Sequence, residues 1–113
     1  MIHWKTETIK QTLSAVPGIT FAEIGEQGSE RTTELLAYNV AGATDRLYVR
    51  GFVTDKQLNQ SDDVDVEMIE VFTEYSDGGD SQEPENVAAR GLMMAALLKA
   101  GYKPVVRSLE PYF

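Results

Sequence analysis

Cysteine is absent from this sequence, and with it go disulfides, thiolate metal sites and cysteine nucleophiles. Stability must then come from packing, which one core of this size can supply. Histidine occurs once, as His3. A Ser-His-Asp triad would have to use it, and no Gly-x-Ser-x-Gly turn occurs. With no second histidine or cysteine to share a metal, His3 reads as a surface residue, and no metal or cofactor is expected. Long apolar runs are missing too. The longest, Leu92 to Leu98, falls far short of the ~20 residues that span a bilayer. The polar residues after Trp4 predict no signal peptide, so a cytoplasmic protein is the default expectation. Positive charge is scarce: 10 Lys and Arg face 18 Asp and Glu, for a net charge of −8. Such a field repels nucleic acid and anionic lipid, so neither is an expected direct partner.

What is present fits an ordinary globular chain. The 113 residues are 42% apolar and 25% charged, without a repeat, a low-complexity tract or an inter-domain linker. A single domain over 1–113 is expected. Ile2, Ile9, Leu13 and Val16 make one helical stripe and predict a helix over roughly Trp4 to Val16, stopped by Pro17 and Gly18. Four strand-like stretches follow: Ile19 to Ile24, Thr33 to Val40, Leu47 to Val53 and Val64 to Tyr75. Gly25 to Gly28 reads as a hairpin turn, since Glu26 makes it a poor phosphate clamp. The Leu47 to Val53 stretch carries large side chains at both phases, which predicts a central or doubly covered strand.

In Val64 to Tyr75 the alternation slips by one residue. Val64, Val66 and Met68 are the apolar members first, then Ile69, Val71 and Tyr75. A period of two makes such a slip a bulge or bend near Met68 and Ile69. Asp77 to Asp80 reads as a turn, and Pro84 opens a second helix running to about Ala100. Gly101 suits the left-handed residue after it, with Tyr102 folding back on the last turn. A short strand over Val105 to Leu109 ends the order α-β-β-β-β-α-β. The expected class is α+β: an antiparallel sheet of four to five strands with two main helices. The expected core includes Leu47, Val49, Phe52, Val71, Met94 and Leu98.

The acids invite chemistry but do not supply its pattern. A calcium loop starting at Asp63 would place Asp65 and Glu67 as ligands, yet Met68 stands where the turn needs glycine. Paired carboxylates could serve glycoside hydrolysis, but no aromatic sugar groove accompanies them. The expectation is a non-enzymatic protein. Charge placement says more. Residues 55–85 hold eleven acids and one base, a net −10, which leaves +2 for the rest of the −8 chain. One side should be acidic, fit for a basic partner or for the basic face of a second copy. Asp63, Asp65, Glu67, Glu70 and Glu74 are the candidate acidic contact residues. The basic candidates are Arg31, Arg46, Arg50, Arg90, Lys99, Lys103 and Arg107. Exposed ion pairs contribute only about 0–1 kcal/mol each, so apolar surface must hold any assembly. The run Leu92 to Leu98 is apolar nearly all round its helix, and Met93, Met94, Tyr112 and Phe113 are the candidate apolar contacts.

From Asp63 to Lys103, an acidic strand ends in an aromatic, a polar turn runs from Ser76 to Pro84, and an apolar helix closes at Gly101-Tyr102. Behind an N-terminal amphipathic helix and a meandering sheet, this layout resembles the tail-terminator and minor-tail (minor capsid) proteins of tailed phages. The strand expected after the last helix is shorter here than in that group. The resemblance implies a structural subunit that self-associates or docks onto a ring, located in virions, and it brings no catalytic or cofactor residues. The competing class is a small acidic regulator, such as a nucleic-acid mimic, an immunity protein or a secretion chaperone, that binds a basic protein.

Overall fold

The computed structural model describes residues 2–25, 31–59, 63–73 and 82–106. The first helix, α1 (Thr6–Leu13), is shorter than the stripe predicts. Its expected first turn is taken by other bonds: the Lys5 N–H donates to the Val64 carbonyl (3.1 Å), and the Val64 N–H to that of His3 (3.0 Å). Backbone groups committed to a neighbouring segment cannot also close helical rings. Trp4 is thereby anchored in a bridge to Val64.

Strands β1 (Ile19–Gly25), β2 (Leu35–Val40), β3 (Leu47–Phe52), β4 (Met68–Thr73) and β5 (Lys103–Val106) form one sheet in that spatial order. Helix α2 (Pro84–Lys99) comes between β4 and β5. The α+β class and element order are as expected, and β3 is the central strand. The sheet is mixed, however, and not wholly antiparallel. The first four strands meander, while β5 pairs parallel with β4, Met68 opposite Lys103 and Val71 opposite Val106. The cause is α2, which carries the chain back to the start of β4 so that the next strand repeats its direction.

The predicted phase slip has a clear counterpart. The chain bends at Glu67 and β4 starts only at Met68. Val64 and Val66 are buried before the bend, Ile69 and Val71 after it. The expected strand over Val64 to Tyr75 is thus two pieces, and Glu74, Tyr75 and the turn at Asp77 to Asp80 lie outside the described residues. So do Glu26 to Gly28 of the expected hairpin turn and Arg107 to Leu109 of the expected last strand.

Both helices pack on the sheet face made by Leu36, Tyr38, Leu47, Val49, Ile69 and Val71, and they touch each other. From α1 come Ile9 and Leu13, and from α2 Ala89, Met93 and Leu97. Leu47, Val49 and Val71 are fully buried as expected. Phe52 is only half-buried, because the pleat turns it to the opposite face, and Met94 packs at the core's margin. Leu98 is the wrong residue: it is 65% exposed, and Leu97 is fully buried in its place. Burial along α2 runs Asn86, Ala89, Met93, Leu97, a single helical stripe that an all-apolar run conceals.

The helix end follows the predicted cap. Gly101 has φ +99°, its N–H donates to the Leu98 carbonyl, and the Tyr102 N–H donates to that of Leu97, each at 3.0 Å. This double bond pattern is the Schellman closure. At the other end, buried Asn86 clasps the turn before β3. Its amide oxygen accepts from the Thr44 and Asp45 N–H groups (2.8 and 3.1 Å). Its amide nitrogen donates to Thr44 Oγ1 and Asp45 Oδ2 (3.0 and 2.9 Å). A buried amide so fully engaged fixes α2 to the sheet without leaving an unpaired polar group.

Two core positions make predictions. A Cβ at Gly51 would stand 2.6 Å from Val66 Cγ2, so β3 needs glycine there to let the Val66 segment lie against it. Gly51→Ala is expected to cost about 1–3 kcal/mol through overpacking. Adding Val66→Ala should recover part of that loss in chemical denaturation; full additivity of the two costs would show the contact is not the cause. Tyr38 is buried with its hydroxyl lacking a hydrogen-bond partner among the described residues. Burial, and secondarily the Glu7 carboxylate, push its pKa from 10.0 up to about 12. The folded state therefore prefers neutral Tyr38, and its contribution to stability is full below pH 10 and lost between pH 10 and 12. Tyrosinate absorbance should show Tyr38 ionising last of the five tyrosines, and Tyr38→Phe should remove that last step. If all five ionise together in the folded protein, the assigned burial is wrong.

Candidate interaction surfaces

The acidic segment was expected to face partners, yet four of its described carboxylates meet bases of the same chain. Asp55 pairs with Arg31, Asp65 with Lys5 (3.7 Å) and Glu67 with Lys103 (2.9 Å). Asp63 is exposed, and Glu74 lies outside the described residues. Glu70 behaves differently from the rest. It is 4% exposed and 3.2 Å from Arg50 Nη2. The register sets this pair, since Arg50 of β3 lies directly opposite Glu70 of β4. Arg50 also stacks over the Phe72 ring at 4.9 Å, and Phe72 stacks on Tyr48 with centroids 5.6 Å apart. The sheet face away from the helices therefore carries a packed cluster of arginine, carboxylate and aromatic rings, with a charge pair held largely out of water.

Other predicted bases are engaged as well: Arg46 lies 2.9 Å from Glu23. His3 sits on the surface, as the sequence predicts, with Nδ1 3.2 Å from Glu34. Beside the end of α2, Asp65, Glu67, Gly101 and Tyr102 line a shallow cleft of about 310 Å³. Burial, then the Asp65 carboxylate, raise the Tyr102 pKa. Among the described residues no group of three or more His, Asp or Glu side chains is arranged to hold a metal ion. No described helix is long and apolar enough to cross a membrane.

The apolar candidates are redistributed. Met93 is fully buried and Met94 half-buried, while Tyr112 and Phe113 lie outside the described residues. The outward side of α2 is nonetheless apolar. Val87 is 39% exposed, Leu92 49% and Leu98 65%, and between them Ala88, Gly91 and Ala95 are exposed too. At 100° per residue, Ala88, Gly91 and Ala95 lie on the line opposite the buried stripe, with Val87 and Leu98 on one flank and Leu92 on the other. The periodicity that picks out Leu97 as core would have found this face, had the run not been apolar at every phase. Comparison of the chain with family models, curated proteins and solved structures finds no match.

Proposed function

We propose that this chain is a non-enzymatic structural subunit that works by binding protein chains, copies of itself included. The model for it is the group of phage tail-terminator and minor-tail proteins its layout resembles, whose members self-associate or dock onto a ring. One observation carries the reading: the outward face of α2 presents Val87, Leu92 and Leu98 to water around a floor of Ala88, Gly91 and Ala95. Large apolar side chains grouped on one exposed side of a helix mark a contact surface more often than isolated ones do. The acidic-regulator reading has less support, since Asp55, Asp65, Glu67 and Glu70 already meet bases of their own chain.

Light scattering from about 10 μM to millimolar protein tests this, a range where association of exposed apolar surface is expected. The mass should rise with concentration, and nearly as much in high salt as in low, because apolar contact survives screening. A strict monomer in both salts would overturn the self-association reading.

A further inference from the structure

The chemistry along the exposed face of α2 selects its own occupant. Glu85, Leu92 and Lys99 are spaced seven residues apart, so they fall on one flank of the helix, acid at the start and base at the end. Both charged residues are exposed, and neither forms an ion pair with another described residue. We propose that α2 packs antiparallel against α2 of a second copy, about a two-fold axis level with Leu92.

In that arrangement residue n faces the residue of the partner that lies equally far beyond the centre. Glu85 meets Lys99 of the partner subunit, Lys99 meets the partner's Glu85, and Leu92 meets its own equivalent. On the other flank Val87 and the partner's Leu98 lie within about 1.5 Å of the same height. The floor of Ala88, Gly91 and Ala95 lets the two backbones approach closely, and a Cβ at Gly91 would meet none of the described residues of its own chain within 4 Å. A parallel pairing would set Glu85 beside Glu85 and Lys99 beside Lys99, and like charges at that range repel. The contact is isologous, each copy offering the same patch, so it closes as a pair. A ring would then be built from such pairs through a second surface. This inference rests on the self-association reading and adds to it the surface, the direction and the symmetry.

The absence of cysteine makes the test direct, because every introduced thiol is unique. Glu85→Cys, Leu92→Cys and Lys99→Cys variants are treated with bismaleimidoethane, alone and in pairs, at concentrations where light scattering detects association. Leu92→Cys should crosslink to itself. The mixture of Glu85→Cys with Lys99→Cys should give crosslinked dimer at more than about tenfold the yield of either alone, since proximity raises effective concentration by orders of magnitude. Two copies of position 85, or of position 99, would lie about 21 Å apart along the helix, beyond that reagent. Association by scattering without this pattern would overturn the α2 pairing and leave the self-association reading standing. Self-crosslinking at all three positions would mean a parallel contact and would likewise overturn it. No association at any concentration would overturn both.

Discussion

Trp4→Ala is expected to be the most damaging single truncation in the chain, at about 3–5 kcal/mol. Trp4 is 1% exposed and belongs to the main core cluster. Its backbone also bridges to Val64, so the side chain locks the segment before α1 onto the segment before β4. Removing the indole opens a cavity where those segments and the helices converge. The Nε1–H is buried without a hydrogen-bond partner among the described residues. Trp4→Phe removes that uncompensated donor while keeping most of the ring volume, so it should cost less than about 1.5 kcal/mol. Urea unfolding of the two variants checks both figures. Equal costs for Ala and Phe would mean that the indole's volume is not what stabilises this corner.

Leu97→Ala should cost about 2–5 kcal/mol, and Leu98→Ala no more than about 0.5 kcal/mol. The residues are adjacent and chemically identical, and only their azimuth on α2 differs. Leu97 is fully buried against the sheet and α1, whereas Leu98 is 65% exposed. Truncating Leu98 removes area that is mostly in water in the isolated chain. It should therefore leave folding nearly untouched and weaken association instead. A Leu98→Ala variant as unstable as Leu97→Ala would show that α2 is rotated from the orientation described here.

These two leucines also mark where the sequence was legible. Strand β3 could be read because Leu47 and Val49 alternate with Tyr48 and Arg50, which is unambiguous at period two. The bend at Glu67 could be read because the apolar phase slips there, and the end of α2 because Gly101 follows a basic last turn. The burial of α2 could not be read. From Leu92 to Leu98 every helical phase is apolar, so the pattern carries no azimuth, and only the sheet beneath it settles that Met93 and Leu97 go inward while Leu92 and Leu98 go outward. Glu70 fails for a different reason. Its alternation with Ile69 and Val71 correctly puts it on the face away from the helices, but its burial depends on Arg50 and Phe72, set by cross-strand register. Register is a property of two strands, and one strand's pattern does not contain it. The parallel pairing of β5 was closer to hand, since a helix between two strands is the usual way to make them parallel.

The acidic stretch teaches the same point about charge. Counted along the chain, residues 55–85 look like a single negative block. In space Asp55, Asp65, Glu67 and Glu70 lie against Arg31, Lys5, Lys103 and Arg50, bases contributed by distant segments. Linear charge runs therefore overstate the field that a folded surface presents, and they draw attention from the apolar face that α2 leaves exposed.

That face is the centre of the account, and sedimentation equilibrium of the wild-type chain beside Ala95→Arg tests it most directly. Ala95 is exposed in the middle of α2, and arginine is a good helix former, so the variant should unfold at the same denaturant concentration as wild type. Wild type should shift from 12.5 kDa towards larger species as concentration rises, and Ala95→Arg should stay a monomer across the same range. Equal association by the two proteins, or a wild type that remains monomeric throughout, would contradict it.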